Sequence, residues 1–125
     1  MKKHRTDFSE SLEDYLEAIH MLGGVSVRSV DIATQIGVSK ASVNHAINAL
    51  IQNGYVDKEP YGNITLTENG LAFSKRVLRK HLIIKQFLIE VLGVDAVRAD
   101  DEACGIEHHI SEDTIDRLER LIPKK

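Results

Sequence analysis

Between Ser29 and Asn53 the chain carries two short apolar-periodic segments parted by one glycine turn, and this limits its fold more than any other feature. Val30, Ile32, Ala33 and Ile36 mark a helix over about Ser29–Ile36, which Gly37-Val38 breaks. Ser39 is a good N-cap for a helix reaching about Asn53, with Val43, Ala46, Ile47, Leu50 and Ile51 on one face and Gly54 at its end. Helices this short are marginal alone, so each must bury its apolar face against neighbours. A preceding helix over about Ser9–Leu22 supplies one, through Leu12, Tyr15, Leu16, Ile19 and Leu22. Ser11 and Asp14 match the capping-box spacing, and Gly23-Gly24 is a strong stop.

A hairpin follows: Tyr55–Glu59, a turn over Pro60–Asn63, then Ile64–Thr67. Short helix, glycine turn, capped helix and hairpin form the order of a winged helix-turn-helix. A long helix is expected from about Glu68 to Leu92, stopped by Gly93, then helices over about Asp95–His109 and Ser111–Leu121. The fold class is therefore mainly α with a small β-hairpin wing. Residues 1–70 read as the winged unit and 71–125 as a helical domain. The long helix carries Val77, Leu78, Leu82, Ile83, Ile84, Phe87, Leu88, Val91 and Leu92. That is more apolar surface than its short partners cover, which predicts a homodimer.

Composition narrows the class. The 125 residues hold one cysteine, no Trp, and a formal net charge of −3. No apolar run approaches the roughly 18–20 residues of a membrane span, and the charged start Met1–Arg5 is not followed by the apolar stretch of a signal peptide. A cytoplasmic protein without membrane association is expected. A negative balance is unusual for a nucleic-acid binder, but it is reasonable if several acids hold divalent cations. No His-Glu-x-x-His, P-loop or Gly-x-Ser-x-Gly appears, and Cys104 and His108, one turn apart, are poorly placed to present a substrate site. The expectation is no enzyme and no small-molecule substrate.

In a winged helix-turn-helix the second helix enters the major groove N-terminal end first. Ser39, Lys40, Ser42, Asn44 and His45 occupy that end, where Ser and Lys suit phosphates and Asn and His reach base edges. Arg28 before the motif, with Lys58 and Asn63 in the wing, are candidates for backbone contact. The partner implied is double-stranded operator DNA.

Ligand-type residues are densest from Asp101 to His109. On a helix, Cys104, Glu107 and His108 stand at i, i+3 and i+4, placing sulfur, carboxylate and imidazole on one face. Asp14 and Glu17 are also i, i+3, and His81 lies on the long helix among Leu82, Ile83 and Ile84. Each taken alone has a plain structural reading as a solvated acid, a small buried thiol or a core histidine.

Taken together, the run Glu13–Ile19, the helix-turn-helix, Arg79-Lys80-His81 and the run Glu102–His109 resemble the diphtheria-toxin-repressor and manganese-transport-regulator family along nearly the whole chain. The resemblance implies a metal-dependent repressor of metal-homeostasis genes, with Mn²⁺ or Fe²⁺ as corepressor of a DNA-binding homodimer. It implies Asp14, Glu17, His81, Glu107 and His108 as ligands of the manganese branch. At Cys104 the manganese branch has a carboxylate and the iron branch a cysteine, whereas Asp14 replaces a methionine of the iron branch. The chain thus combines both patterns. Lys85 and Asp100 stand where the iron branch has a glutamate and a histidine of its second site, and a protonated Lys85 is no ligand. His109 lies about 100° round the helix from His108 and reads as supporting or surface. His45 replaces a base-reading glutamine of the iron branch. The sequence ends at Lys125, so no SH3-like C-terminal domain is expected, as in the manganese branch. Oxygen and nitrogen donors suit Mn²⁺ and Fe²⁺; a thiolate adds affinity for Fe²⁺ and Zn²⁺. The alternative from residues alone is a winged-helix regulator that needs no metal.

Overall fold

The computed structural model describes residues 10–124 and divides the chain into two units, Met1–Lys75 and Arg76–Lys125. The first contains α1 (Glu10–Met21), α2 (Ser29–Ile36), α3 (Lys40–Gln52), β1 (Val56–Lys58) and β2 (Ile64–Leu66). The boundary falls inside α4 (Glu68–Glu90). The second unit continues with α5 (Ala96–Ile106), a single 3₁₀ turn (Glu107–His109) and α6 (Glu112–Leu121). Among the described residues no helix is long and apolar enough to cross a membrane.

The apolar stripes of α1, α2 and α3 meet in the first core. Leu16, Ile19, Ile32, Ile47 and Leu50 are buried there, with Val56 and Ile64 from the hairpin beneath them. Each such side chain contributes about 1.5–3 kcal/mol of transfer free energy. Gly37 closes α2 in the left-handed conformation (φ 85°), and its N–H bonds Ala33 O. Ser39 then caps α3 by accepting from Ser42 N at 3.1 Å. One expectation at the start of α1 fails. Ser11 lies inside α1, so the Ser11–Asp14 spacing is not a capping box. Ser9 lies outside the described residues.

The wing is antiparallel, pairing Val56 with Leu66, Asp57 with Thr65 and Lys58 with Ile64. Val27 adds a bridge to Ile64, with both backbone hydrogen bonds at 2.7 Å. A polar clasp closes its base. Ser26 and Thr65 donate their hydroxyls to the two oxygens of Glu59, at 2.8 and 2.7 Å. Ser26 holds a left-handed backbone (φ 54°) while its N–H donates to Thr65 Oγ1 at 2.9 Å. The Thr65 and then the Ser26 hydrogen bonds hold the Glu59 carboxyl below its ordinary range. Because that pKa is lowered on folding, the clasp's contribution is full above the usual carboxylate range and is lost as pH falls through the lowered value. Protection of the Val27 and Ile64 amides, measured against the intrinsic exchange rate at each pH, is expected to fall on acidification in the wild type. In Glu59→Gln protection should be lower already at neutral pH, with a weaker pH response. Equal acid responses in both proteins would show that Glu59 does not set wing stability.

In the second unit Ile83, Ile84 and Leu88 of α4 pack with Ala99, Ala103, Ile115 and Ile122. Asp95 caps α5, and Ser111 caps α6 by accepting from Thr114 N. Arg79 ties α6 to α4 by donating to Glu112, Asp116 and Glu119 at 3.1, 2.8 and 3.0 Å. The helix expected to reach His109 ends at Ile106, and Glu107–His109 tighten into the 3₁₀ turn. The capped start of α6 follows at Ser111, so the chain must turn within Ile110, which is extended (φ −128°, ψ 141°). Lys80 Nζ holds this exit by donating to Ile110 O at 2.7 Å.

Candidate metal centre

Two helical stripes in the second unit build the site. His81 and Lys85 are one turn apart on α4; Asp100 and Cys104 are one turn apart on α5, with Glu107 just beyond. Spacings of i, i+4 put each pair on one face of its helix. One ligand atom each of His81, Cys104 and Glu107 lies within 4.8 Å of the others. His81 Nδ1 is 2.7 Å from Glu107 Oε1 and 3.9 Å from Cys104 Sγ. Its other ring nitrogen, Nε2, is 2.8 Å from Asp100 Oδ1. Lys85 Nζ approaches the same Asp100 oxygen at 3.4 Å. The hydrogen bond to His81, then that from Lys85, holds the Asp100 carboxyl below its ordinary range against the opposing effect of burial.

Glu107 is the unusual member. It is 1% exposed, and its Oε2 is the buried side-chain atom among the described residues that has no hydrogen-bond partner. The imidazole Nε2 of the buried His108 lies 3.4 Å from this oxygen, beyond good hydrogen-bond geometry. An unsatisfied buried group costs about 1–3 kcal/mol, and more when it is charged. A cation would relieve that cost. The donor set fits one: an imidazole nitrogen, a carboxylate and an exposed thiol. Ligand atoms about 2.0–2.3 Å from a shared ion lie about 3–4.5 Å from one another, which the Nδ1–Sγ spacing meets.

The 3₁₀ turn changes one geometric expectation. Cys104, Glu107 and His108 do not form an i, i+3, i+4 face of a single helix, because Glu107 and His108 lie past the end of α5. The tighter turn nonetheless buries both side chains, while His109 is exposed. Asp14 and Glu17 are on α1 in the first unit, the former exposed and the latter half-buried.

The nucleic-acid candidates are in the first unit. Ser39, Lys40, Ser42, Asn44 and His45 are all exposed at the N-terminal half of α3. Two of them are already engaged, since Ser39 Oγ donates to Ser42 Oγ at 3.1 Å. Arg28 is exposed but pairs with Asp31 at 3.1 Å. Lys58 is exposed on β1, whereas Asn63 turns into the wing base and donates to Ser26 Oγ at 3.3 Å. Sequence reasoning gave no part to the Glu59 clasp or to Gly70. Both depend on partners distant in sequence, which spacing does not show.

The sequence matches two consecutive family descriptions. Residues 7–64 match "Iron dependent repressor, N-terminal DNA binding domain", and residues 67–124 match "Iron dependent repressor, metal binding and dimerisation domain". An uncharacterised HTH-type transcriptional regulator of Methanocaldococcus jannaschii is 38% identical over 119 residues, covering 93% of this chain and 95% of its own. The HTH-type transcriptional regulator MntR of Lysinibacillus sphaericus is 37% identical over 114 residues, covering 90% and 81%. A solved manganese-dependent transcriptional repressor, in complex with manganese, superposes with a TM-score of 0.80 at 29% identity. That match covers 89% of this chain and 52% of the solved one, so the chain spans about half the length of that structure. With both of its parts matched in order, the chain belongs to the family of iron-dependent repressors.

Proposed function

We propose that the protein is a metal-dependent transcriptional repressor of metal-ion homeostasis genes, with Mn²⁺ or Fe²⁺ as corepressor and double-stranded operator DNA as partner. The observation that carries this is the buried Glu107 oxygen without a hydrogen-bond partner beside His81 and Cys104, in a family member with a helix-turn-helix. Residues 1–70 form the DNA-reading domain and 71–125 the metal-binding and dimerisation domain. His81, Cys104, Glu107 and His108 hold the metal, and Asp14 and Glu17 on α1 complete the set. A bound dication would supply the positive charge that offsets repulsion among the carboxylates of this ligand set.

In this reading Lys40, Asn44 and His45 enter the major groove, with Ser39 and Ser42 near phosphates. Arg28, Lys58 and Asn63 serve the flanking backbone. Leu82, Val91 and Leu92, which are 53%, 42% and 60% exposed, are covered by the second copy of a homodimer. The protein acts as a regulator and not as an enzyme.

Titration of fluorescent promoter DNA tests the proposal, run anaerobically at fixed salt because phosphate contacts make affinity salt-dependent. Mn²⁺ or Fe²⁺ is expected to tighten binding about 5–150-fold over chelator, the range of a coupling of about 1–3 kcal/mol. Equal binding in chelator would leave a winged-helix regulator that needs no metal.

A further inference from the structure

We infer that Asp100, held by Lys85, is a positioning residue that reserves the Nδ1 nitrogen of His81 for the metal. The inference rests on the metal-site reading above and deepens it. His81 has two chemically distinct edges. Nδ1 faces Glu107 and Cys104, the donors that converge with it. Nε2 faces Asp100 at 2.8 Å, on the side where Lys85 Nζ stands 3.4 Å from the same carboxylate oxygen. An ionised carboxylate only accepts hydrogen bonds, so the nitrogen bound to it must carry the proton. The same holds for Nδ1 against Glu107 while no metal is bound; a cation held by Glu107 and Cys104 would take the place of that Nδ1 proton, and Nε2–H would stay on Asp100. Hydrogen bonds of this kind orient a ligating histidine and raise its basicity.

Lys85 completes the device. Its ammonium stabilises Asp100 as an anion and places positive charge on the Nε2 edge, where a second dication would meet like charge. The spacing is built into both helices: His81 and Lys85 are one turn apart on α4, as are Asp100 and Cys104 on α5. One turn of α5 therefore supplies both a donor at the Nδ1 edge and the acceptor at the Nε2 edge. Asp100 is exposed and stands outside both cores, so its replacement should leave the fold intact.

The test uses the full chain labelled with ¹⁵N-histidine and loaded with Zn²⁺ as a diamagnetic probe. Two-bond ¹H–¹⁵N correlation should show His81 protonated at Nε2 and metal-bound at Nδ1. Calorimetric titration with Mn²⁺ should show Asp100→Asn binding about 10–100-fold more weakly than wild type. Its amide can turn a donor toward Nε2 and favour the wrong tautomer. Asp100→Glu, which keeps an acceptor, should recover part of the loss. Metal on Nε2, or unchanged Mn²⁺ affinity in Asp100→Asn, would overturn the inference. His81→Ala separates this from the larger reading: if it binds Mn²⁺ and Zn²⁺ as wild type does, the metal site itself is misassigned.

Discussion

Glu107→Gln is expected to lower Mn²⁺ affinity more than 100-fold while leaving the metal-free protein about as stable as wild type. The two halves follow from one geometry. Glu107 is buried, with Oε1 at 2.7 Å from His81 Nδ1 and Oε2 without a hydrogen-bond partner. An ionised carboxylate in that position is costly, and a neutral amide of the same shape costs less to bury. Its carbonyl oxygen can still accept from Nδ1–H, and His81 keeps Asp100 on its other edge. The stability change should therefore stay within about 1 kcal/mol. The metal, by contrast, loses an anionic donor. Groups that merely support ligands already cost about 10–100-fold in affinity when removed, so a ligand should exceed that range. Calorimetric Mn²⁺ titration and urea unfolding in chelator read the two halves separately. Were Glu107 a structural ion-pair partner of His81 instead, the pattern would invert. Breaking a buried pair costs about 3–5 kcal/mol, with no special effect on metal.

The same pair of measurements bears on which cation the protein selects. As a ligand, Cys104 would add a soft donor to a set otherwise of oxygen and nitrogen. Its exposure leaves the thiol approachable by an ion rather than committed to the core. Glu107→Gln weakens the hard side of the set, so Zn²⁺ affinity should fall less than Mn²⁺ affinity.

The sequence was most informative where the physics is local. The Ser39 cap, the Gly37 turn and the α2 bounds, Ser29–Ile36, follow from short-range rules and stand as expected. Most of the apolar stripes do too, because Ile32, Val43, Ala46, Ile47 and Leu50 are buried, whereas Val30, Ile51 and Leu22, at the stripe edges or ends, are exposed. Local rules failed where a tertiary constraint decided. Nothing in Glu107-His108-His109 signals a 3₁₀ turn; it arises because α6 starts at a fixed cap and Lys80 holds Ile110. His81 on an apolar helix has the plain reading of a core histidine, and its two carboxylate neighbours come from α5 and the turn beyond it. The role of Asp100 could not be seen from spacing, since its partners His81 and Lys85 are on another helix. Family resemblance supplied the candidate ligand types, and the two carboxylate contacts of the His81 ring, which spacing does not show, come from the fold.

Gly70→Ala should destabilise the first unit by about 3 kcal/mol or more, the largest effect expected of any single methyl group here. Gly70 lies in the first turn of α4, which starts directly after the wing. A Cβ at Gly70 would overlap the Tyr55 carbonyl oxygen, and would stand 2.9 Å from that carbonyl carbon and 3.2 Å from Leu66 Cδ2. The first obstacle is backbone and cannot rotate away. It is also held in place, because Tyr55 O accepts from Thr67 N at 3.0 Å and Tyr55 N donates to Leu50 O at 2.9 Å. Thr67 caps the entry by donating its hydroxyl to Gly54 O at 2.7 Å and accepting from Gly70 N at 3.0 Å. Relief of the overlap would require α4 to lift from the wing, breaking this lock and the edge-to-face contact of Tyr55 with Phe73, whose ring centroids are 5.2 Å apart. Ordinary helix propensity predicts the opposite sign, since alanine is better than glycine in a helix interior by about 1 kcal/mol. The sign of the change in urea midpoint therefore decides the matter. A lower midpoint with wing amides exchanging faster marks close backbone approach as the reason for glycine at this position. A rise would mean that the α4–wing junction yields, leaving propensity in control.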